Sequence, residues 1–172
     1  VPTATYEKIA TTTLTTNGSF DFTTIPNTYT DLILTGQLRA AGGSSIVENA
    51  WMNFNSDFGA NYGDMRGLFY SGGFLSTNNS DSQATFGAVS APGASGWFYT
   101  PFVAFINNYA STSHYRTQLT SYITQNYEAN YRLNNWLNTS AAINRIQFAC
   151  GGSGGLFASG STVSIWGIKA AA

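Results

Sequence analysis

The sequence predicts an all-β domain, an antiparallel β-sandwich of jelly-roll-like form with about eight or nine strands. Three observations point there. Apolar and polar residues alternate with period two along much of the chain, while runs of helical period are scarce. Gly-, Ser- and Asn-rich stretches recur between these runs at turn-sized lengths. No helical crossover separates one run from the next, so antiparallel pairing is favoured over a parallel sheet. The 172 residues read as one domain over 1–172, without internal repeat or linker.

The elements follow in order. Ala10–Thr16 is rich in Thr and precedes Asn17-Gly18, a strong hairpin signal because both turn positions need positive φ. Ser19–Thr23 would form the returning strand, with Phe20 and Phe22 on one face and Asp21 on the other. Pro26 ends that run. Asp31–Ala40 is the clearest long strand, with Leu32, Leu34 and Leu38 sharing a face. Trp51–Asn55 reads as a short strand, and Ser56–Asp64, Ser71–Ser82 and Ser90–Gly96 read as loops. Phe98–Asn107 is a strand whose Pro101 predicts an edge or a bulge. Tyr115–Thr124 alternates with Leu119 and Ile123 on the Tyr115 face. Tyr131–Asn138, Ile143–Cys150 and Ser161–Lys169 complete the set.

Composition bounds the function. Hydrophobic residues make up 43% of the chain, enough for a core without disulfides or metal, but only 9% is charged. Ser, Thr and Asn carry the polar role. Such a surface suits packing against neighbours, because little charge must be desolvated. The net charge of −1 and the scattered basic residues give no footprint for nucleic acid. No apolar run is long enough to span a membrane as a helix, and Val1–Tyr6 lacks the pattern of a signal peptide.

Candidate chemistry is thin. His114 is the sole histidine, in a turn-like Ser-Thr-Ser-His stretch without a nucleophile signature. Cys150, the sole cysteine, ends an apolar strand face and reads as a small buried hydrophobe. Eight carboxylates (Glu7, Asp21, Asp31, Glu48, Asp57, Asp64, Asp81, Glu128) leave a glycosidase-type pair conceivable only if two meet across a cleft. Most sit at expected turns or strand ends, where Asp serves turn chemistry. Asp57, Asn61 and Asp64 share one polar stretch. Calcium ligation and Asx-turn capping both use such residues, and capping fits better without the EF-hand glycine and final glutamate. Asn17, Asn78 and Asn138 begin N-x-S/T triplets, unsurprising in so Asn- and Ser-rich a chain.

The aromatics are the positive feature: 10 Tyr, 12 Phe and 4 Trp. Many Phe belong in the core, whereas Tyr, with large area and a polar tip, suits interfaces. Tyr62, Tyr70 and Tyr127 in the loop-rich middle are the expected contact residues, and Trp97 with exposed Tyr would stack on sugar rings. No catalytic residue, metal or cofactor is expected.

Three segments also carry a resemblance. Tyr6-Glu7-Lys8-Ile9-Ala10-Thr11-Thr12-Thr13-Leu14, then Phe22-Thr23-Thr24-Ile25-Pro26-Asn27-Thr28-Tyr29-Thr30-Asp31-Leu32, and the closing Phe157–Lys169 resemble blocks of small β-sandwich virion proteins of tailed bacteriophages. In the closing block the aromatic before glycine is more often Tyr; here it is Trp166. The resemblance implies a structural protein on the phage particle surface, assembled in the bacterial host cytoplasm. A capsid decoration (cement) protein fits the short, stalkless chain better than a head-fibre or tail-fibre tip that binds host glycans or a receptor. It also implies a homo-oligomer, commonly a trimer, with the major capsid protein or other virion proteins as partners.

Overall fold

The computed structural model describes residues 5–68, 73–94, 98–124 and 129–169. Within them twelve strands follow in chain order. They are β1 (Tyr6–Thr13), β2 (Phe20–Phe22), β3 (Asp31–Leu38), β4 (Val47–Phe54), β5 (Tyr62–Leu68) and β6 (Gly73–Asp81). Then come β7 (Ala84–Ser90), β8 (Thr100–Asn107), β9 (Arg116–Ile123), β10 (Ala129–Trp136), β11 (Ile146–Cys150) and β12 (Thr162–Ile168). One sheet of eight strands has the order β1-β12-β3-β8-β9-β10-β5-β6; a second of four has β2-β11-β4-β7. All the pairings are antiparallel.

Without β5, β6, β9 and β10, two four-stranded sheets remain: β1-β12-β3-β8 and β2-β11-β4-β7. The chain crosses between them at β1–β2, β2–β3, β3–β4, β7–β8, β8–β11 and β11–β12, and stays in one sheet only from β4 to β7, which is jelly-roll connectivity. The other four strands are two inserted hairpins. β5–β6 lies between β4 and β7 in the chain, β9–β10 between β8 and β11, and together they extend the larger sheet beyond β8.

The two sheets close on an aromatic core. Phe148 of β11 sits 6.1 Å from Phe20, 5.9 Å from Phe86 and 6.3 Å from Phe102, measured between ring centroids. Phe86 meets Phe102 edge-on at 4.5 Å. The expected faces hold: Phe20 and Phe22 are buried with Asp21 outside, Leu32, Leu34 and Leu38 are buried, and so are Ile146, Phe148 and Cys150.

Several expectations are corrected. Asn17-Gly18 turns the chain, yet β1 and β2 do not form a hairpin; they lie in different sheets. Gly18 pairs instead with Phe157, and the Asn17 side chain accepts the Ser159 N–H at 3.1 Å. Phe20 and Phe22 must enter the core, and β1 is taken by β12, so the turn becomes a corner between sheets. Three strands were not expected: β5, β6 and β7. The stretch expected as the loop Ser71–Ser82 contains β6, a sheet-edge strand in which small polar residues are tolerated. In β7, Gly87 breaks the alternation at a bulge opposite Ala50 and Trp51. Its φ is +150°, and a Cβ there would lie 2.4 Å from the Tyr122 ring. Pro101 lies in the interior strand β8, not at a sheet edge, but it precedes Phe102, where the pairing with β9 begins.

Candidate contact surface

On β9, β10 and the start of β5 the usual polarity is reversed. A sheet packed on one side normally turns apolar residues inward and polar ones outward. On β9, Gln118 and Thr120 point inward and are buried; on β10, Asn130, Arg132 and Asn134 do the same; on β5, Asp64 joins them. Cross-strand register makes whole rungs polar: Thr120 faces Arg132, and Gln118 faces Asn134, which faces Asp64. Arg132 forms an ion pair with Asp64, and Asn134 donates to the Thr85 carbonyl of β7 at 2.8 Å. Aromatics sit at the ends of this layer. Tyr122 approaches Phe86, and Trp136 packs on Phe54 with Arg116 lying 4.6 Å over its ring. Burial holds the Arg116 guanidinium pKa below its ordinary value.

The outward side is apolar instead. Met65, Leu119, Ile123 and Tyr131 are 45%, 40%, 46% and 41% exposed. Direct pairing aligns Met65, Leu119 and Tyr131 with the jelly-roll strands. Trp166 faces Ile33, Ile33 faces Phe105, Phe105 faces Leu119, Leu119 faces Leu133, and Leu133 faces Met65. The result is one apolar row across six strands, from β12 to β5. The adjacent row, Ser164–Thr35–Val103–Ser121–Tyr131, carries hydroxyls and no charge. Alternation along each strand revealed single faces; only the register shows that they line up.

Tyr62, expected at a contact surface, is fully buried. Its hydroxyl accepts the Phe54 N–H at 3.1 Å and donates to the Asp57 carbonyl at 3.0 Å. It therefore belongs to the core, because β5 begins there and turns it inward. Tyr70, Trp97 and Tyr127 lie outside the described residues. Tyr109 and Tyr122 are also buried, whereas Tyr115 and Tyr131 are exposed.

The polar candidates serve structure. Asp57 collects donors: Gly59 N–H at 3.0 Å, Asn61 Nδ2 at 3.0 Å, Trp136 Nε1 at 2.8 Å and Asn138 Nδ2 at 3.4 Å. The Gly59 bond is the Asx turn expected of this stretch. Asn61 turns its amide nitrogen to the carboxylate, and Asp64 faces the buried layer, so the three do not converge as cation ligands. His114 is an exposed turn residue with Nδ1 3.0 Å from Ser113 Oγ. Cys150 is buried against the Leu156 carbonyl, and burial pushes its thiol pKa up to about 12, with Glu48 adding to the shift. A cleft of about 470 Å³ opens beside Asn17, Arg39, Pro92 and Ala158.

Asp57 has a pH signature. Burial pushes its carboxyl pKa up, but the donors from Trp136, Gly59, Asn61 and Asn138 outweigh that and leave it below the ordinary value. Its contribution is then complete above the unfolded value of about 3.9 and is lost as pH falls through the folded value. Asp57→Ala should cost about 2–3 kcal/mol at pH 7 in denaturant unfolding, with a smaller difference from the parent at pH 2–3.

The segments Tyr6–Leu14, Phe22–Leu32 and Phe157–Lys169 meet along one edge of the fold. β1 pairs with β12 and β12 with β3. The Tyr29 ring covers Gly167 and its hydroxyl donates to Glu7 at 2.9 Å, while Lys169 bonds the other Glu7 oxygen at 2.5 Å. These segments build the framework on which the apolar row begins. The chain matches no protein-family model and no curated protein.

Proposed function

We propose that this chain is a structural subunit of a tailed-phage particle, a head decoration protein that works through protein–protein contacts. The reversed polarity of β5, β9 and β10 carries the contact half of this reading. Apolar side chains turned to water on strands whose inner face is polar gain their stabilisation only when something covers them. The likeness of the two chain ends to virion proteins supplies the phage half. A particle repeats each contact many times, so modest burial per copy sums to substantial reinforcement.

Immunogold labelling of purified virions tests the location. Label over the head is expected, together with heads that rupture at a lower temperature when the protein is missing. Label confined to the tail would replace this reading with the fibre-tip one.

A further inference from the structure

We infer that the apolar row is covered by a second copy of this chain, packed sheet face to sheet face about a two-fold axis. This rests on the contact reading above and names its partner. Three features of the face fit its own image.

The first is charge. Neither the row Trp166–Ile33–Phe105–Leu119–Leu133–Met65 nor its neighbour Ser164–Thr35–Val103–Ser121–Tyr131 holds a formal charge. A patch rich in one sign repels itself when two copies meet; here the charges stand only at the margins, Lys8 beside Trp166 and Asp31 beside Ile168, and are of opposite sign. Its polar groups are hydroxyls, which both donate and accept, so the same row can satisfy itself across an isologous contact.

The second is area. Six strands about 4.8 Å apart, and the six residues of about 3.3 Å that carry these rows and the uncharged positions Thr162, Gln37, Pro101 and Ile123 beside them, span roughly 570 Å², so two copies together bury about 1,100 Å², above the roughly 1,000 Å² that a specific interface requires. The third is shape. An eight-stranded sheet is twisted, and a second copy brings the same twist, which allows aligned face-to-face packing at about −30° with side chains interdigitated. The large Trp166 and Phe105 alternate with Ile33 and Leu119 along the row, giving each face both ridges and gaps.

Analytical ultracentrifugation of the intact chain across a concentration series tests this. The parent should sediment as a dimer or a higher even-numbered species. Leu119→Asp, which places an unpaired charge in the middle of the face, should raise the dissociation constant about a hundredfold while leaving far-UV circular dichroism unchanged. Phe105→Ser should weaken it in the same direction without adding charge. Phe58→Asp, exposed in the stretch between β4 and β5, should leave association as in the parent. A monomeric parent at high concentration would overturn the inference, as would a trimer indifferent to Leu119→Asp and Phe105→Ser. A monomer that still decorates phage heads would overturn the inference alone and leave the proposed function standing. A dimer lost on Leu119→Asp but absent from virions would do the reverse.

Discussion

Phe148→Ala should destabilise the protein by about 4 kcal/mol, a drop in Tm of roughly 8–16 °C for a chain of this size. Phe148 is 1% exposed and its ring contacts Phe20 and Phe22 of the neighbouring strand, Phe86 of the same sheet and Phe102 of the opposite one. Removing it takes away the transfer free energy of a whole ring and leaves a cavity whose lining is fixed by two sheets, so collapse is limited. Phe148→Leu keeps much of the volume and should cost less than half as much. Differential scanning calorimetry of the two variants gives the comparison. Equal losses for both would mean that edge-on ring packing, not volume, sets the cost.

Arg132→Ala should be comparably severe, about 3–5 kcal/mol by chemical denaturation. Arg132 and Asp64 form their ion pair with side chains only 9% and 4% exposed. Removing the guanidinium takes this ion pair from a buried carboxylate, which costs more than the pair contributes. The double replacement Arg132→Met with Asp64→Leu should recover most of the loss, because neither charge then has to be desolvated. If the double variant is as unstable as the single one, the polar layer between β10 and β5 is required as a network and not as a compensated pair.

This polar layer marks where sequence reasoning stops. Period-two alternation placed β3, β8, β9, β11 and β12 and the faces of most of them, because in each strand one set of positions is plainly apolar. For β9 alternation also identified the two faces but not which one is inside. Leu119 and Ile123 look like core positions beside Gln118 and Thr120, and the usual rule would bury them. The structure turns them out because β9 continues the plane of β8, whose Phe102, Ala104 and Ile106 face the core and whose Phe105 faces outward. Register then fixes the sides of β9 and β10 irrespective of polarity. Tyr62 was misplaced for a related reason. Its polar neighbours Asn61 and Asp64 suggested a loop, yet both are occupied with bonds inside the fold. The Asn17-Gly18 corner failed as a hairpin because local turn chemistry cannot state which sheet the next strand joins. The jelly-roll class was legible; the hairpin β5–β6 that widens one sheet was not, since β6 is mostly small and polar, and β7 escaped because Gly87 breaks its alternation at a bulge.

In the proposed assembly the outward face of β3, β8, β9, β10 and β5 is covered. Carbene footprinting of the isolated chain at high dilution and of the same chain in purified particles tests it most directly. Phe105, Leu119, Leu133 and Met65 should lose most of their labelling in the particle, while Phe58 and Ile46, exposed in the stretches before β5 and β4, keep theirs. Unchanged labelling along the row, with protection confined to other surfaces, would contradict it.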